Sequence, residues 1–126
     1  MKGNIYLVRI VNLETGEKFL KVGIAKYRKG KNQKGILQRG NNPDNYAPNT
    51  VNHFIRQWEG EYEDCRKIEW MLHEMFKDDK YLPKIKFGGY TECFIPNSKI
   101  GRWFPKKRET AEDWINRHQN LNFNES

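Results

Sequence analysis

One glutamate stands where the pattern of its helix calls for an apolar residue. Residues 61–77 repeat apolar side chains every three or four positions, which predicts an amphipathic helix. At about 100° per residue, Glu69 falls inside the apolar arc, between Cys65, Leu72 and Phe76. A carboxylate is costly to bury without a partner, so this position indicates a metal, a cation or a catalytic role. The alternative is a glutamate at the edge of the arc that reaches solvent or pairs with a lysine or arginine.

Two further residues are candidates for the same site: one lies on the same predicted helix as Glu69, and the other lies later in the chain. His73 lies one helical turn on, at the edge of the same arc, where it would act as a proton relay or as an orienting group. An ordinary histidine on the helix surface is an equally good interpretation. Glu92 follows the pair Gly88-Gly89 and would assist a metal or anchor its loop. We favour the structural role for Glu92.

A predicted β-hairpin places a tyrosine and a lysine on paired strands. Residues 4–12 and 18–25 are rich in β-branched and aromatic side chains, and residues 13–17 form a glycine-containing turn. Tyr6 stands on the first strand and Lys21 on the second. A phenol is a poor base at neutral pH unless a nearby cation lowers its pKa, and Lys21 is placed to do so. Otherwise the two are a cross-strand aromatic and a solvated lysine.

The rest of the chain is predicted to contain short elements and polar loops. Asparagine and proline make residues 41–50 a loop, and Thr110 is a good N-cap for a last helix. The other predicted elements are a short helix at 36–41, a strand at 51–58 with Phe54, Arg56 and Trp58 on one face, an extended segment at 91–95, an irregular basic stretch at 97–108 and a helix at 110–119.

Size and composition favour one small domain with a modest core. The chain has 126 residues, of which 37% are hydrophobic and 13% aromatic. No apolar run is as long as a membrane span, and the N-terminus lacks a signal-peptide pattern, so we expect a cytoplasmic protein without a membrane partner. Cys65 and Cys93 are then expected to be free thiols. Two cysteines and three scattered histidines form no recognisable zinc ligand set.

Charge is distributed unevenly along the chain, whose net charge is +7. Residues 1–50 carry ten basic and three acidic side chains, residues 51–83 five and eight, and residues 84–126 eight and five. A basic first part and an acidic helix suit a surface that follows phosphates around a carboxylate that binds a cation. The predicted DNA-binding residues are Arg28, Lys29, Lys31, Lys34, Lys106 and Lys107.

These motifs together resemble the GIY-YIG nuclease superfamily. Its two signature tripeptides correspond to Asn4-Ile5-Tyr6 and Lys21-Val22-Gly23, followed by an arginine and a helical glutamate. The closer similarity is to a phage and bacterial branch in which lysine begins the second tripeptide. That branch often also carries Glu-x-x-x-His, here Glu69 to His73, and Thr-Glu-x-Phe, here residues 91–94. The resemblance covers about residues 3–95.

The resemblance implies an α+β fold, with a small three-stranded antiparallel sheet flanked by helices. It implies a nuclease core over residues 1–96, and we expect residues 97–126 to be a basic extension with a short helix on the same domain. The implied activity is divalent-metal-dependent DNA endonuclease cleavage, in a protein of phage or mobile-element origin acting in the host cytoplasm.

The same resemblance assigns roles to several residues. Glu69 would bind a single Mg²⁺, for which Mn²⁺ could substitute, and Tyr6, Lys21 and His73 would complete the catalytic set. Arg39 would clamp the scissile phosphate from the helix after the second tripeptide, with Arg28 as the alternative. The second tripeptide lacks its tyrosine, so Tyr6 would work opposite an amine.

Two other functions compete with a nuclease. The first is a catalytically inactive nucleic-acid-binding module of the same fold. The second is a protein-interaction factor that uses exposed Trp58, Trp70 and Trp103. Trp103 and Phe104 would stack on an unpaired base or, as we favour, pin the last helix. The sequence leaves open whether the protein is a monomer or a DNA-induced dimer.

Overall fold

The predicted hairpin is confirmed in a computed structural model, which describes residues 1–27, 49–84 and 86–119. Strand β1 runs over Lys2–Asn12 and β2 over Lys18–Lys26, and the two pair antiparallel. Gly16 in the connecting turn has a φ of 74°, a left-handed conformation that side chains disfavour. The short helix predicted at 36–41 lies outside the described residues, as do most of residues 26–34, a segment with five basic side chains.

The sheet has four strands, so the prediction of three was wrong in this detail. The order is β3-β1-β2-β4, with β3 at Thr50–Glu61 and β4 at Cys93–Phe94. The fourth strand pairs antiparallel with β2 through only two residues. Its brevity explains the error, because two residues carry no periodic pattern from which pairing can be predicted.

Strand β3 is interrupted by a bulge that the alternating pattern did not reveal. Leu7 pairs with Arg56 and Val8 with Phe54, so Ile55 is an extra residue between them. Phe54 and Trp58 therefore pack on opposite faces of the sheet instead of sharing one. Trp58 is also buried, and its Nε1 donates a hydrogen bond to the Glu109 carbonyl at 2.9 Å. The expectation of an exposed Trp58 was wrong.

Helix α1, Tyr62–Met75, confirms the predicted amphipathic helix and covers one face of the sheet. Burial of its apolar arc against the strands stabilises this packing. Cys65 lies in this core and Cys93 in the cluster on the opposite face, and both are buried free thiols. The first cluster includes Ile5, Leu7, Val22, Ile68, Leu72 and Phe94, and the second includes Tyr6, Val8, Ile10, Phe19, Ala25 and Cys93.

Helix α2, Ala111–Gln119, begins after Thr110, whose hydroxyl accepts a hydrogen bond from the Asp113 amide at 3.1 Å. Trp114 is fully buried and donates from Nε1 to the Trp103 carbonyl at 2.8 Å. The Trp103 ring also contacts His118, with ring centroids 5.4 Å apart. Trp103 therefore pins the last helix. In the part of the chain that the structure describes, no helix has the length and apolarity needed to cross a membrane.

Candidate functional site

Tyr6 and Lys21 meet on the sheet face opposite α1. The register places Tyr6 beside Gly23 and Val8 beside Lys21, so both functional side chains point to the same side. The Lys21 ammonium donates to the Tyr6 hydroxyl at 3.4 Å, and its Nζ lies 5.5 Å from the centroid of the Tyr6 ring. A Cβ on Gly23 would lie 2.6 Å from the Tyr6 hydroxyl oxygen, so a glycine is needed for this approach.

The tyrosine–lysine pair is enclosed. Tyr6 is fully buried and Lys21 is only 4% exposed. The Lys21 Nζ lies 3.8 Å from Glu92 Oε2, which forms an ion pair across the edge of the sheet. Gly89, with a φ of 86°, passes over the lysine so closely that a Cβ there would lie 2.7 Å from Lys21 Cε. Glu92 and Gly89 together hold the turn over the pair.

Glu69 and His73 come from the other side of the sheet, on α1. Glu69 is half-buried, and its Oε2 atom is buried. Burial raises the pKa of the neighbouring Cys65 thiol to about 12, and the charges of Asp64 and Glu69 add to that effect. The Cys65 thiol is therefore protonated at neutral pH.

His73 packs into the sheet edge beside β4. Its ring lies 5.0 Å from that of Phe94, and its Nδ1 contacts the Lys80 ammonium. Burial lowers the pKa of His73 to about 4, with Lys80 lowering it further and the Val22 backbone opposing both. The imidazole is therefore neutral at physiological pH.

Lys80 is a site residue that the sequence reasoning missed. Its Nζ lies 4.4 Å from the centroid of the Phe94 ring and contacts His73, yet the residue remains exposed. Partial burial lowers the pKa of Lys80, and the carboxylates of Glu92, Glu69 and Glu74 oppose that shift. The only sequence signal was a lysine directly after Asp78-Asp79 in the acidic stretch.

The structure thus brings the predicted residues together in two groups at one sheet edge. We name the first, Tyr6, Lys21 and Glu92, the enclosed cluster. We name the second, Glu69, His73 and Lys80, the helix-edge cluster. Strand β4 lies between them, because Cys93 pairs with Lys21 while Phe94 contacts both His73 and Lys80.

The structure locates only two of the predicted DNA-binding residues. Lys106 and Lys107 are exposed, before α2. The remaining predicted contacts, Arg28, Lys29, Lys31, Lys34 and the phosphate clamp Arg39, lie outside the described residues. Trp70 is 60% exposed on α1, which makes it the exposed member of the three tryptophans considered for partner binding.

The chemistry of Glu69 fits the implied Mg²⁺. Across residues 1–27, 49–84 and 86–119, no three histidine, cysteine, aspartate or glutamate side chains are grouped to hold a metal. Mg²⁺ commonly takes one or two carboxylates and fills its remaining positions with water and substrate phosphate. A buried carboxylate oxygen on Glu69 is a suitable hard ligand for such a site.

No protein-family model, curated protein or solved structure matches this chain.

Proposed function

We propose that the protein is a divalent-metal-dependent endonuclease that hydrolyses phosphodiester bonds in DNA. The observation that carries the proposal is the 3.4 Å contact between the Tyr6 hydroxyl and the Lys21 ammonium. These two residues are the functional positions of the two tripeptides, and they meet on adjacent antiparallel strands. An ammonium fixed beside the tyrosine oxygen would stabilise the phenolate, which is the form of the side chain that can accept a proton from an attacking water.

Each residue has a distinct role in this proposal. Tyr6 orients the attacking water and, as its phenolate, accepts the proton that the water loses, which returns it to the neutral phenol. Lys21 stabilises the negative charge of the phenolate before this transfer. Glu69 would hold Mg²⁺, which supplies charge neutralisation at the phosphate and the leaving oxygen. Arg39 is the proposed phosphate clamp because a guanidinium can bind two phosphate oxygens at once.

A second candidate is the catalytically inactive DNA-binding module, and one observation favours it. Tyr6 is fully buried and Lys21 nearly so, beneath the turn that carries Gly89. Catalysis by this pair requires a rearrangement that opens that face to a phosphate. A module that only binds DNA has no such requirement, because exposed lysines such as Lys106 and Lys107 bind phosphates without it.

Plasmid cleavage in Mg²⁺ or in EDTA separates these functions. We expect the wild type to nick or cut DNA only with the metal, and Glu69→Gln to lose at least about 100-fold in rate. Glu74→Gln is the matched control, since Glu74 is an exposed carboxylate on the same helix. Salt-sensitive binding without cleavage would favour the inactive module. Activity that survives Glu69→Gln would contradict the proposed metal ligand.

A further inference from the structure

The contacts of His73 define which of its nitrogens carries a proton. Its Nδ1 contacts the Lys80 ammonium, which has three donors and no acceptor. Nδ1 must therefore be the acceptor in this contact, and the neutral ring carries its hydrogen on Nε2. The Nε2 atom is buried, and the ring packs on Phe94 of β4 with the two ring centroids 5.0 Å apart.

We infer that Lys80 and His73 form a positioning pair that fixes the imidazole as its Nε2–H tautomer and ties α1 to β4. His73 in this pair is not a proton relay. The inference deepens the proposed nuclease function and rests on it for its catalytic consequence, while the tautomer and the tie are properties of the fold.

The surroundings of the ring support positioning over proton transfer. A relay needs a nitrogen that can take up a proton and deliver it to the reacting atoms. In His73 one nitrogen accepts from Lys80 and the other is buried, while the ring lies against Phe94. A second proton on this ring would place an imidazolium in contact with an ammonium, which is electrostatically unfavourable.

The location of the Lys80–His73 pair indicates which groups it would position. Glu69, the proposed metal ligand, lies one helical turn before His73 on α1. Phe94, on which the ring packs, follows Cys93 on β4, and Cys93 pairs with Lys21 of β2. A fixed His73 therefore holds the helix that carries Glu69 against the strand that pairs with Lys21, so the two proposed functional groups keep a constant separation.

Nitrogen-15 NMR of the histidine side chains in the full chain tests the tautomer directly. The chain has three histidines, and His73→Gln assigns the signal of interest. At pH 7.5 we expect Nε2 protonated and Nδ1 unprotonated in the wild type and in Lys80→Arg, and mixed tautomers in Lys80→Met. Lys77→Met is the matched control, an exposed lysine three residues away, and should leave the signal unchanged. A protonated Nδ1 in the wild type, or no change in Lys80→Met, would overturn the pair.

Cleavage kinetics of His73→Gln test the catalytic half of the inference. Glutamine can accept from the Lys80 ammonium through its amide oxygen but cannot relay a proton, so we expect a loss within about tenfold. Loss of a relay costs 10²- to 10⁴-fold, and a loss of that size in a folded variant would overturn positioning. If the wild type does not cleave DNA, the nuclease proposal fails, and the NMR result still decides the pair.

Discussion

Two lysines lie on opposite sides of β4, and the protein treats them differently. Lys21 is almost fully enclosed, between the Tyr6 hydroxyl at 3.4 Å and Glu92 at 3.8 Å. Lys80 is exposed and rests on the rings of Phe94 and His73. Lys21 is part of the interior, whereas Lys80 is a surface lysine whose ammonium is held by its contacts with Phe94 and His73.

The difference matters because buried and exposed charges respond differently to the loss of a partner. Removing the partner of a buried charge leaves that charge uncompensated and lowers the free energy of unfolding by several kcal/mol. An exposed charge that loses its partner is solvated by water instead, and the loss is about 1 kcal/mol or less. Changes around Lys21 are therefore expected to affect both stability and activity. Changes to the Lys80 side chain itself should leave stability nearly intact and act through the geometry of His73.

The largest effect is expected at Tyr6, the buried partner of Lys21. Tyr6→Ala removes a fully buried ring that packs edge-on against Phe54 at 5.6 Å, and we expect a loss of about 3–5 kcal/mol in the free energy of unfolding. Tyr6→Phe keeps the ring and removes only the hydroxyl, at a cost of about 1 kcal/mol. Urea denaturation measures both values.

Cleavage assays on the same two variants separate folding from chemistry. Under the proposed function, Tyr6→Phe remains folded and loses cleavage, because the proton acceptor is gone. If Tyr6→Phe keeps wild-type cleavage, the tyrosine is only a core aromatic and the enclosed cluster has no catalytic role.

The next largest effect is expected at His73, the partner of Lys80. Its pKa falls from an ordinary 6.5 to about 4 on folding, so below pH 6.5 the unfolded chain binds a proton that the folded chain does not. Its contribution to stability is complete above pH 6.5 and is lost as the pH falls toward 4, by up to about 3 kcal/mol. The measurement is the free energy of unfolding between pH 7.5 and 4.5, relative to His73→Gln.

The same titration in Lys80→Met connects the acid response to the lysine. Without the nearby cation the pKa of His73 rises, so the acid-induced loss should become smaller, though burial still keeps it present. An identical loss with and without Lys80 would show that burial alone determines the histidine, and that the two residues do not interact energetically.

Local patterns in the sequence were sufficient for the regular elements of this fold. Apolar periodicity predicted α1, and β-branched alternation predicted the hairpin that brings Tyr6 and Lys21 together. The bulge at Ile55 was missed because a single extra residue leaves the composition of a strand unchanged while it reverses the faces beyond it. The two-residue strand β4 was missed because its pairing is purely a long-range property.

For the candidate site, too, the sequence predicted the contacts that are local in the chain and missed those that depend on long-range pairing. Tyr6 and Lys21 could be paired because hairpin register is local. Lys80 could not be placed, because its contact with His73 depends on the chain turning back after α1 so that Lys80 pairs with Phe94. No spacing rule relates a lysine in such a turn to a histidine on the helix before it.

The smallest expected effect concerns how closely the turn at Gly89 packs over Lys21, which is what distinguishes Lys21 from the exposed Lys80. Gly89 and Gly16 both have left-handed backbones, with φ values of 86° and 74°, so Gly→Ala at either site carries a similar strain of about 1 kcal/mol. They differ in surroundings: a Cβ on Gly16 meets nothing within 4 Å, whereas one on Gly89 lies 2.7 Å from Lys21 Cε. We therefore expect Gly89→Ala to cost about 1 kcal/mol more than Gly16→Ala in urea denaturation. Adding Lys21→Ala should remove most of that excess, because Lys21 makes two of the three closest contacts and only Glu92 Oε2, at 3.0 Å, then remains. Equal costs at the two glycines would mean that the turn has room to withdraw from Lys21, so the enclosed lysine would be as free to rearrange as the exposed one.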